Sequence, residues 1–168
     1  MKIGIFYGST NGNTAEAARM IQTALEADIY DVGKLKNGEE LAQYDLLVLG
    51  TSTWYDGELQ DDWDSFMSHL IKADLSGKKV ALFGMGDQES YGSDYVSGMR
   101  LIFDKVMEKG VEHIGAWEDK GYAYEHSASV IDGMFVGLAL DEDNQSELTA
   151  ERIDTWCKQL KEEMRLSA

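Results

Sequence analysis

Several features that often define a small protein are rare or missing in this sequence of 168 residues. Cysteine occurs once, at Cys157, which excludes an internal disulfide framework and a cysteine-rich metal site. Its position beside Trp156 in a helical pattern favours a buried, unreactive thiol. No stretch reaches the roughly 18 apolar residues of a membrane span, and the first apolar stretch is too short for a signal peptide, so we expect a cytoplasmic location. Proline is absent, and nothing in the sequence explains why.

Basic residues are scarce relative to acidic ones. Thirty-one Asp and Glu residues against fifteen Lys and Arg residues give a formal net charge of −16 at pH 7. This excess disfavours nucleic acid and anionic membranes as partners. A protein with a positively charged surface is the natural counterpart, although an acidic surface also serves solubility alone.

The order of apolar segments predicts the fold class. A chain of this length can bury a full core, and it shows neither a repeat nor a linker, so we expect residues 1–168 to form one domain. Short apolar runs alternate with amphipathic stretches, which is typical of βαβ units around a parallel sheet. We predict strands at residues 3–7, 29–32, 46–49 and 80–83, and a divided last strand at 111–116 and 135–140. We predict helices at residues 13–25, 39–43, 61–71, 94–108 and 149–164, the last with Thr149 as its N-cap.

The loop after the first strand has the composition of a phosphate site. In open α/β sheets, ligands bind at the carboxyl ends of central strands. Residues 8–14 read GSTNGNT, and such glycines, hydroxyls and amides at a helix start can hold a phosphate through backbone N–H groups. The loop lacks the lysine of GxxxxGK[ST] and does not match GxGxxG, which excludes a nucleoside-triphosphatase loop. A plain glycine-rich turn with a capped helix explains the loop equally well.

Two further loops carry aromatic residues. Trp54 ends the third strand in TSTWYDG, outside any periodic apolar face, and its ring can stack on a planar ligand or pack in the core. The loop after the fourth strand, GMGDQESYG, offers Asp87, backbone amides and Tyr91, but lacks the third glycine of a dinucleotide fingerprint. Together, a phosphate-type loop and two aromatic residues indicate a planar ligand with a phosphorylated tail.

At these loops the sequence resembles the flavodoxin family, specifically its long-chain branch. Residues 9–14 resemble [ST]-x-T-G-x-T, with Asn11 where threonine is usual. Residues 51–54 resemble T-P-T-W, with Ser52 in place of proline, and residues 86–91 match G-D-Q-x-x-Y.

The resemblance covers nearly the whole chain. Residues 58–63 and 135–145 also match long-chain members, and residues 117–134 correspond to the insertion that defines the branch. It implies an α/β, flavodoxin-like, doubly wound five-stranded parallel sheet of order 2-1-3-4-5. Helices would cover both faces, and the insertion would interrupt the last strand.

The resemblance further implies a low-potential electron carrier with one non-covalent FMN. The first loop would bind the FMN phosphate, Trp54 would stack on the inner isoalloxazine face and Tyr91 on the outer face. Asp87 and nearby backbone would bond the pyrimidine edge, and Asp141 is a candidate ribityl contact. The implied FMN-binding residues are Ser9, Thr10, Asn11, Gly12, Asn13, Thr14, Thr51, Ser52, Thr53, Trp54, Tyr55, Asp56, Gly57, Gly84, Gly86, Asp87, Tyr91 and Asp141.

The family also implies how electrons move. Single electrons would pass through the semiquinone and hydroquinone states of FMN, with no substrate turnover by the protein. The peptide between Tyr55 and Asp56 lies where the family turns a carbonyl toward flavin N5–H on one-electron reduction. The expected partners of this monomer are proteins with basic docking surfaces, such as ferredoxin–NADP reductase, photosystem I or other oxidoreductases.

Other functions fit the sequence less well. An FMN-dependent NAD(P)H:quinone reductase shares the fold but needs an open outer flavin face, which Tyr91 would cover. A receiver domain needs paired acids after the first strand, where Tyr7 and Gly8 stand. A calcium loop at residues 141–152 fails because Ser146 replaces its glycine and Arg152 its glutamate.

Overall fold

A parallel β-sheet forms the middle of this computed structural model, which describes residues 1–166. Its strands are β1 (Ile3–Tyr7), β2 (Asp28–Asp31), β3 (Leu46–Trp54), β4 (Glu58–Leu59), β5 (Lys79–Met85), β6 (Glu112–His113) and β10 (Leu138–Leu140). The main path is β2-β1-β3-β5-β10, and only β4 is antiparallel, forming a hairpin with β3. Counted by position, this is the predicted order 2-1-3-4-5, which is therefore confirmed.

The last position of the sheet is divided between two strands. β6 pairs with the start of β5, at Lys79 and Val80, whereas β10 pairs with its end, from Phe83 to Met85. Between them, β7 (Trp117–Glu118), β8 (Val130–Ile131) and β9 (Met134–Phe135) form a small antiparallel sheet of order β7-β9-β8. The predicted interruption by an insertion is confirmed, and the antiparallel sheet inside it was not predicted.

Four α-helices cover the two faces of the sheet. They are α1 (Asn13–Leu25), α2 (Asp61–Lys72), α3 (Gly98–Met107) and α4 (Thr149–Leu166). Helices α1 and α4 pack on one face and bury Ile21 and Trp156, while α2 and α3 pack on the other and bury Trp63 and Ile102. Residues 46–52 of β3 are buried because both faces are covered, which explains their continuous apolar run. Within residues 1–166, no helix has the length and apolar character needed to cross a membrane.

The single cysteine lies inside the core between α4 and the sheet. Cys157 is 2% exposed, and burial raises the pKa of its thiol to about 11. The predicted buried, unreactive thiol is therefore confirmed in its burial, since little thiolate forms near neutral pH.

Two helix predictions need correction. Residues 39–43 form a 3₁₀-helix (Glu39–Gln43), because five residues complete little more than one helical turn. Helix α3 begins at Gly98, not at residue 94, after a separate 3₁₀-turn (Gly92–Asp94). Val96 between them has φ +47°, a left-handed conformation that interrupts the helical path and that β-branched residues rarely adopt.

The predicted N-cap of the last helix is also wrong. A 3₁₀-turn (Ser146–Leu148) runs directly into α4, and Thr149 has helical dihedral angles, φ −59° and ψ −50°. An N-cap needs a non-helical backbone, so Thr149 is the first helical residue instead. Its hydroxyl donates to the Glu142 carboxylate rather than capping a backbone N–H.

Candidate functional site

The loops after β1, β3 and β5 meet at the carboxyl edge of the sheet, around a cavity of about 210 Å³ that we call the cleft. All three loops that the sequence singled out contribute to it. The residues that line the cleft are Asn11, Asn13, Ser52, Thr53, Trp54, Tyr55, Met85, Gly86, Asp87, Tyr91, Glu142 and Asp143. At this edge the chain leaves β1 toward β2 and leaves β3 toward β5, on opposite sides of the pair, and α/β sheets of this kind bind ligands at such a point.

Side chains of the loop after β1 fix its shape. Ser9 Oγ accepts hydrogen bonds from the N–H groups of Gly12 (3.2 Å) and Ala15 (3.3 Å). Asn11 Oδ1 accepts from the N–H of Asn13 at 3.2 Å. Gly12 has φ +96° and directly precedes α1, so the turn uses a conformation that glycine adopts without strain. The start of α1 is thereby held open toward the cleft.

Thr14 has unsatisfied hydrogen-bonding groups in this loop. Its side chain is fully buried, and its hydroxyl has no hydrogen-bond partner. The N–H groups of Asn13 and Ala15 bond to loop side chains, whereas that of Thr14 has no partner among residues 1–166. Buried polar groups without partners are rare and costly, so donors left free at a helix N-terminus indicate an anion site.

Trp54 lies at the end of β3, half-buried against the cleft. Its indole Nε1–H donates to Ser52 Oγ at 2.8 Å. The two residues are two positions apart on one strand, so their side chains point to the same side of the sheet. Ser52, which stands where the family pattern has proline, thus contacts the indole directly.

The turn after Trp54 carries the predicted Tyr55–Asp56 peptide. Tyr55 has φ +48°, an uncommon left-handed conformation for a residue with a Cβ, and Asp56 is exposed beside it. Gly57 has φ +86°, and a Cβ there would lie 3.1 Å from Asp94 Oδ1. Asp56 and Gly57 therefore belong to the turn at the edge of the cleft, but they do not line the cleft. Tyr91, 56% exposed, lines the cleft from the loop after β5.

Asp87 organises its own loop at the cleft. Its Oδ1 accepts from the N–H of Ser90 at 2.9 Å and from Asn144 Nδ2 at 2.8 Å. Partial burial works against the charged carboxyl, but these bonds, together with the N–H of Glu89, hold the pKa of Asp87 below its usual range. Asp87 is therefore charged at neutral pH, and its loop is tied to the segment after β10.

Asp141 does not reach the cleft. Its carboxylate is fully buried and accepts from the backbone N–H and Nε2 of Gln88, at 2.9 and 2.8 Å, and from the N–H of Asn144. Gln88 in turn accepts from the N–H of Ala123. Asp141 is thus a scaffold residue that joins the loop after β5 to the segment after β10. The candidate contact of Asp141 with the ribityl chain stays a prediction beside this role.

Of the other predicted residues, Thr53 lines the cleft, whereas Thr10, Thr51 and Gly84 do not. Thr10 Oγ1 accepts from Gln60 Nε2 at 3.2 Å, which links the first loop to the start of α2. Thr51 is buried and donates to the Ser52 carbonyl, and Thr53 Oγ1 accepts from the N–H of Gly98 at 2.9 Å. Gly84 lies within β5, where a Cβ would contact Val96.

Sequence reasoning missed an acidic wall of the cleft, formed by Glu142 and Asp143. Partial burial, together with the charges of Asp87, Asp141 and Glu142, raises the pKa of Asp143. Among the residues that the structure describes, no Lys or Arg lines the cleft. The cleft is therefore electronegative, and any phosphate in it is held by neutral donors. The run of acids at residues 141–143 was the available signal.

The fold and the cleft define an α/β protein with a ligand site at the switch point of a doubly wound sheet. Comparison with known families gives the same result more specifically, because the flavodoxin family model matches residues 5–156. The chain belongs to the flavodoxin family.

Individual relatives are similar over nearly their whole length. Flavodoxin 1 of Escherichia coli (strain K12) is 47% identical over 167 residues, covering 97% of this chain and 94% of that protein. A flavodoxin of Picosynechococcus sp. is 43% identical over 164 residues, covering 95% and 96%. The crystal structure of Fusobacterium nucleatum flavodoxin bound to flavin mononucleotide aligns with a TM-score of 0.90 at 34% identity, covering 96% and 98%.

Proposed function

We propose that this chain is an electron carrier that binds one FMN non-covalently in the cleft and catalyses no substrate reaction of its own. Membership of the flavodoxin family and similarity to an FMN-bound flavodoxin support this function. Residues 1–168 act as one domain and as a monomer, in the cytoplasm.

The observation that carries the proposal is the division of the cleft into two chemically different ends. At one end, the start of α1 offers Asn13, which lines the cleft, and the neighbouring Thr14, whose buried hydroxyl has no hydrogen-bond partner; no Lys or Arg is among the described residues that line the cleft. At the other end, Trp54, Tyr55 and Tyr91 present aromatic rings. A phosphate attached to a planar ring system matches both ends, and FMN has this form.

Each part of the cleft has its own task toward FMN, which supplies one-electron redox chemistry when bound. Ser9 and Gly12 shape the loop that receives the phosphate, and Thr14 donates to it. Trp54 and Tyr91 stack on the two faces of the ring and exclude water from it. With FMN bound, the carbonyl of the peptide between Tyr55 and Asp56 would be the acceptor for a hydrogen bond from N5–H.

The acidic wall would lower the potential at which bound FMN takes up its second electron. Asp87, Glu142 and Asp143 place negative charge beside the ring, within a protein of net charge −16. Added negative charge is disfavoured there, because Asp87 and Glu142 are half-buried and water screens their charges only in part. The second electron is therefore held at a low potential, as a strong electron donor requires.

The partners are redox proteins with basic docking surfaces. The acids beside the cleft include Glu58, Asp61 and Asp64, which are exposed, and Asp62, which is half-buried and accepts from Gln60 Nε2. The same acids also lie at or near the first turn of α2, where they complement the helix dipole. Family resemblance names ferredoxin–NADP reductase, photosystem I and other oxidoreductases as the candidates.

The competing function is an FMN-dependent NAD(P)H:quinone reductase. Such an enzyme must admit nicotinamide to the outer face of the ring, where Tyr91 is placed to stack. Adding NADPH to the purified protein without a reductase distinguishes the two, because the enzyme would lose its yellow colour and the carrier would keep it.

The cofactor itself is tested by mass spectrometry of the material released on denaturation. We expect FMN at one equivalent per chain. Release of FAD, or of no flavin from a protein reconstituted with excess FMN, would contradict the proposal.

A further inference from the structure

The four tryptophans differ in how their indole N–H groups are satisfied. Trp63 and Trp156 donate to backbone carbonyls, of Gly50 at 2.6 Å and Gly115 at 2.8 Å. Trp117 donates to the Tyr122 hydroxyl at 2.9 Å, outside the cleft. Trp54 donates to a side chain that itself lines the cleft, Ser52.

Trp54 is not among the described side chains that pack against the two hydrophobic clusters of the core. The only ring pair that includes it, among the described residues, is with Tyr55, at 6.4 Å between centroids and 52° between planes. Tyr55 is 69% exposed, so its ring is not itself held in place and cannot fix the position of the Trp54 ring. Trp54 is itself half-buried at the end of β3. The orientation of the indole therefore depends on a polar contact more than on packing.

Ser52 is well placed to provide that contact. It is 9% exposed and lies within β3, in register with Met85 of β5, so its backbone is fixed by the central sheet. A hydrogen bond shielded from water in this way contributes measurably to the order of the groups that it joins. Removing the hydroxyl leaves the indole N–H without its acceptor, and the ring then has more than one accessible orientation.

We propose that Ser52 is a positioning residue, whose hydroxyl fixes the Trp54 indole in the plane in which it stacks on the flavin. The proposal rests on the FMN-binding function proposed above. It explains how a serine serves at a position where the family pattern has proline: rigidity comes from a side-chain hydrogen bond instead of a constrained backbone. No role is proposed for Ser52 at the phosphate end of the cleft.

The first test uses the protein without flavin. In ¹⁵N–¹H correlation spectra, Ser52→Ala should shift the Trp54 indole resonance and speed exchange of its proton with solvent. The resonances of Trp63, Trp117 and Trp156 should stay in place, and Ser52→Thr, which keeps a hydroxyl, should restore the Trp54 resonance. An unchanged Trp54 resonance in Ser52→Ala would overturn the proposal, whatever the protein binds.

The second test measures what the hydrogen bond does for the ligand. Ser52→Ala should weaken FMN binding roughly two- to tenfold, the equivalent of one such hydrogen bond. It should also reduce the circular dichroism of the bound flavin, since the ring contact becomes less ordered. Ser52→Thr should recover both.

Tyr122→Phe is the matched control, because it removes the acceptor of a different indole. It should shift the Trp117 resonance and leave FMN affinity and flavin circular dichroism unchanged. A shifted Trp54 resonance with unchanged FMN affinity and dichroism in Ser52→Ala would overturn the positioning role. Absence of FMN binding by the unmodified protein would instead refute the proposed function, while the flavin-free spectra would still report on the hydrogen bond.

Discussion

Trp54 and Tyr91 reach the cleft from two different loops, and at the scale of single residues they decide how a planar ring is held. Trp54 is half-buried at the end of β3, and Tyr91 is 56% exposed in the loop after β5. Aromatic rings combine a large apolar area with a stacking preference. Loss of either ring therefore removes aromatic contact area from the cleft.

Trp54→Ala and Tyr91→Ala should each weaken FMN binding by about 1–3 kcal/mol, through lost burial and stacking. Titration of the flavin-free protein with FMN, followed by quenching of flavin fluorescence, measures the affinity. Leu101→Ala, an exposed apolar residue on α3 outside the cleft, is the control and should bind normally. Normal affinity in both cleft variants would reject the stacking assignment.

Asp56 offers a second test at this scale, because it adjoins the peptide expected to turn on reduction. A unit charge about 8 Å from a redox centre, at an effective dielectric near 40, changes a one-electron potential by some tens of millivolts. Asp56→Asn should therefore raise the potential of the second electron. Asp56→Gly should also favour the one-electron-reduced form, because glycine turns without strain.

Potentiometric titration of both Asp56 variants decides whether the carboxylate matters. Glu108→Gln, which changes an exposed acid just beyond the end of α3, is the charge control and should keep both potentials. Midpoints of the Asp56 variants within about 10 mV of the unmodified protein, or roughly 0.2 kcal/mol, would make Asp56 an ordinary solvated loop acid.

At the scale of secondary-structure elements, two features matter for function. They are the N-terminus of α1 and the divided last strand. In the first turn of α1, the Thr14 hydroxyl has no hydrogen-bond partner. The divided last strand brings β6 and β10 to one position of the sheet and places the insertion between them. Each makes a separate prediction.

Thr14→Val should weaken the binding of FMN and leave that of riboflavin unchanged. The reason is that riboflavin has the ring and ribityl chain but no phosphate, and hydrogen bonds to charged groups contribute about 1.5–3 kcal/mol. Parallel titrations of the variant with the two flavins give the comparison directly. An equal loss for both would show that Thr14 does not act on the phosphate.

His113 links β6 to the segment just before β10, since its Nε2–H donates to the Val136 carbonyl at 2.6 Å. Burial lowers its pKa, although the hydrogen bond to Val136 and the charge of Glu163 act the other way. The unfolded chain, with a histidine pKa near 6.5, therefore binds a proton before the folded chain does. The free energy of unfolding should fall as the pH decreases through about 6.5.

Urea unfolding between pH 8 and 5 measures this dependence, with His113→Gln as the test variant. The difference in unfolding free energy between the unmodified protein and His113→Gln should shrink as the pH falls. His126→Gln, at an exposed position, should follow the unmodified protein. Parallel curves for the unmodified protein and His113→Gln would refute a role for His113 in this pH dependence.

The elements also show what a sequence can and cannot predict. Strand Ile3–Tyr7 and helix Asn13–Leu25 were predicted to the residue, because a short apolar run and a clear helical period identify them. The late start of α3 was not, since the left-handed Val96 is fixed by packing from other elements. The hairpin strand Glu58–Leu59 was not predicted, because two residues are too few to show a periodic pattern.

The site, like the elements, contains features that the sequence predicts and features that only the structure shows. The three loops were predicted because their positions follow from strand order and their residue types from chemistry. Burial of Asp141 and the bond from Trp54 to Ser52 depend on how distant segments and neighbouring side chains pack. The unpaired Thr14 hydroxyl is also a property of the folded chain alone. Residue types can thus indicate a site, but their division into contact and scaffold roles requires the structure.

At the scale of the whole molecule, charge governs how the protein meets a partner. The net charge of −16 includes the exposed acids beside the cleft, Glu58, Asp61 and Asp64. Charges of this kind steer cationic partners, and salt screens them over about 8 Å at physiological ionic strength. The rate of electron exchange with a redox protein that has a basic docking surface should therefore fall steeply as salt is added.

Stopped-flow rates at increasing salt test this steering. Conversion of Glu58, Asp61 and Asp64 to their amides should lower the rate at low salt and flatten its salt dependence. The matched control converts Glu26, Glu108 and Glu162, which lie at or beyond the C-terminal ends of helices, and should keep a steep dependence. Equal slopes for the two triple variants would remove the docking role from the acids beside the cleft.

The central claim, that the cleft holds one FMN and passes electrons singly, is tested most directly by stepwise reduction under anaerobic conditions. The visible spectrum is recorded after each addition of reductant to the purified protein. We predict a distinct half-reduced form that accumulates and then disappears before full reduction, with one FMN per chain. Conversion from oxidised to fully reduced flavin in a single two-electron step, at every ratio of reductant to protein, would contradict the account.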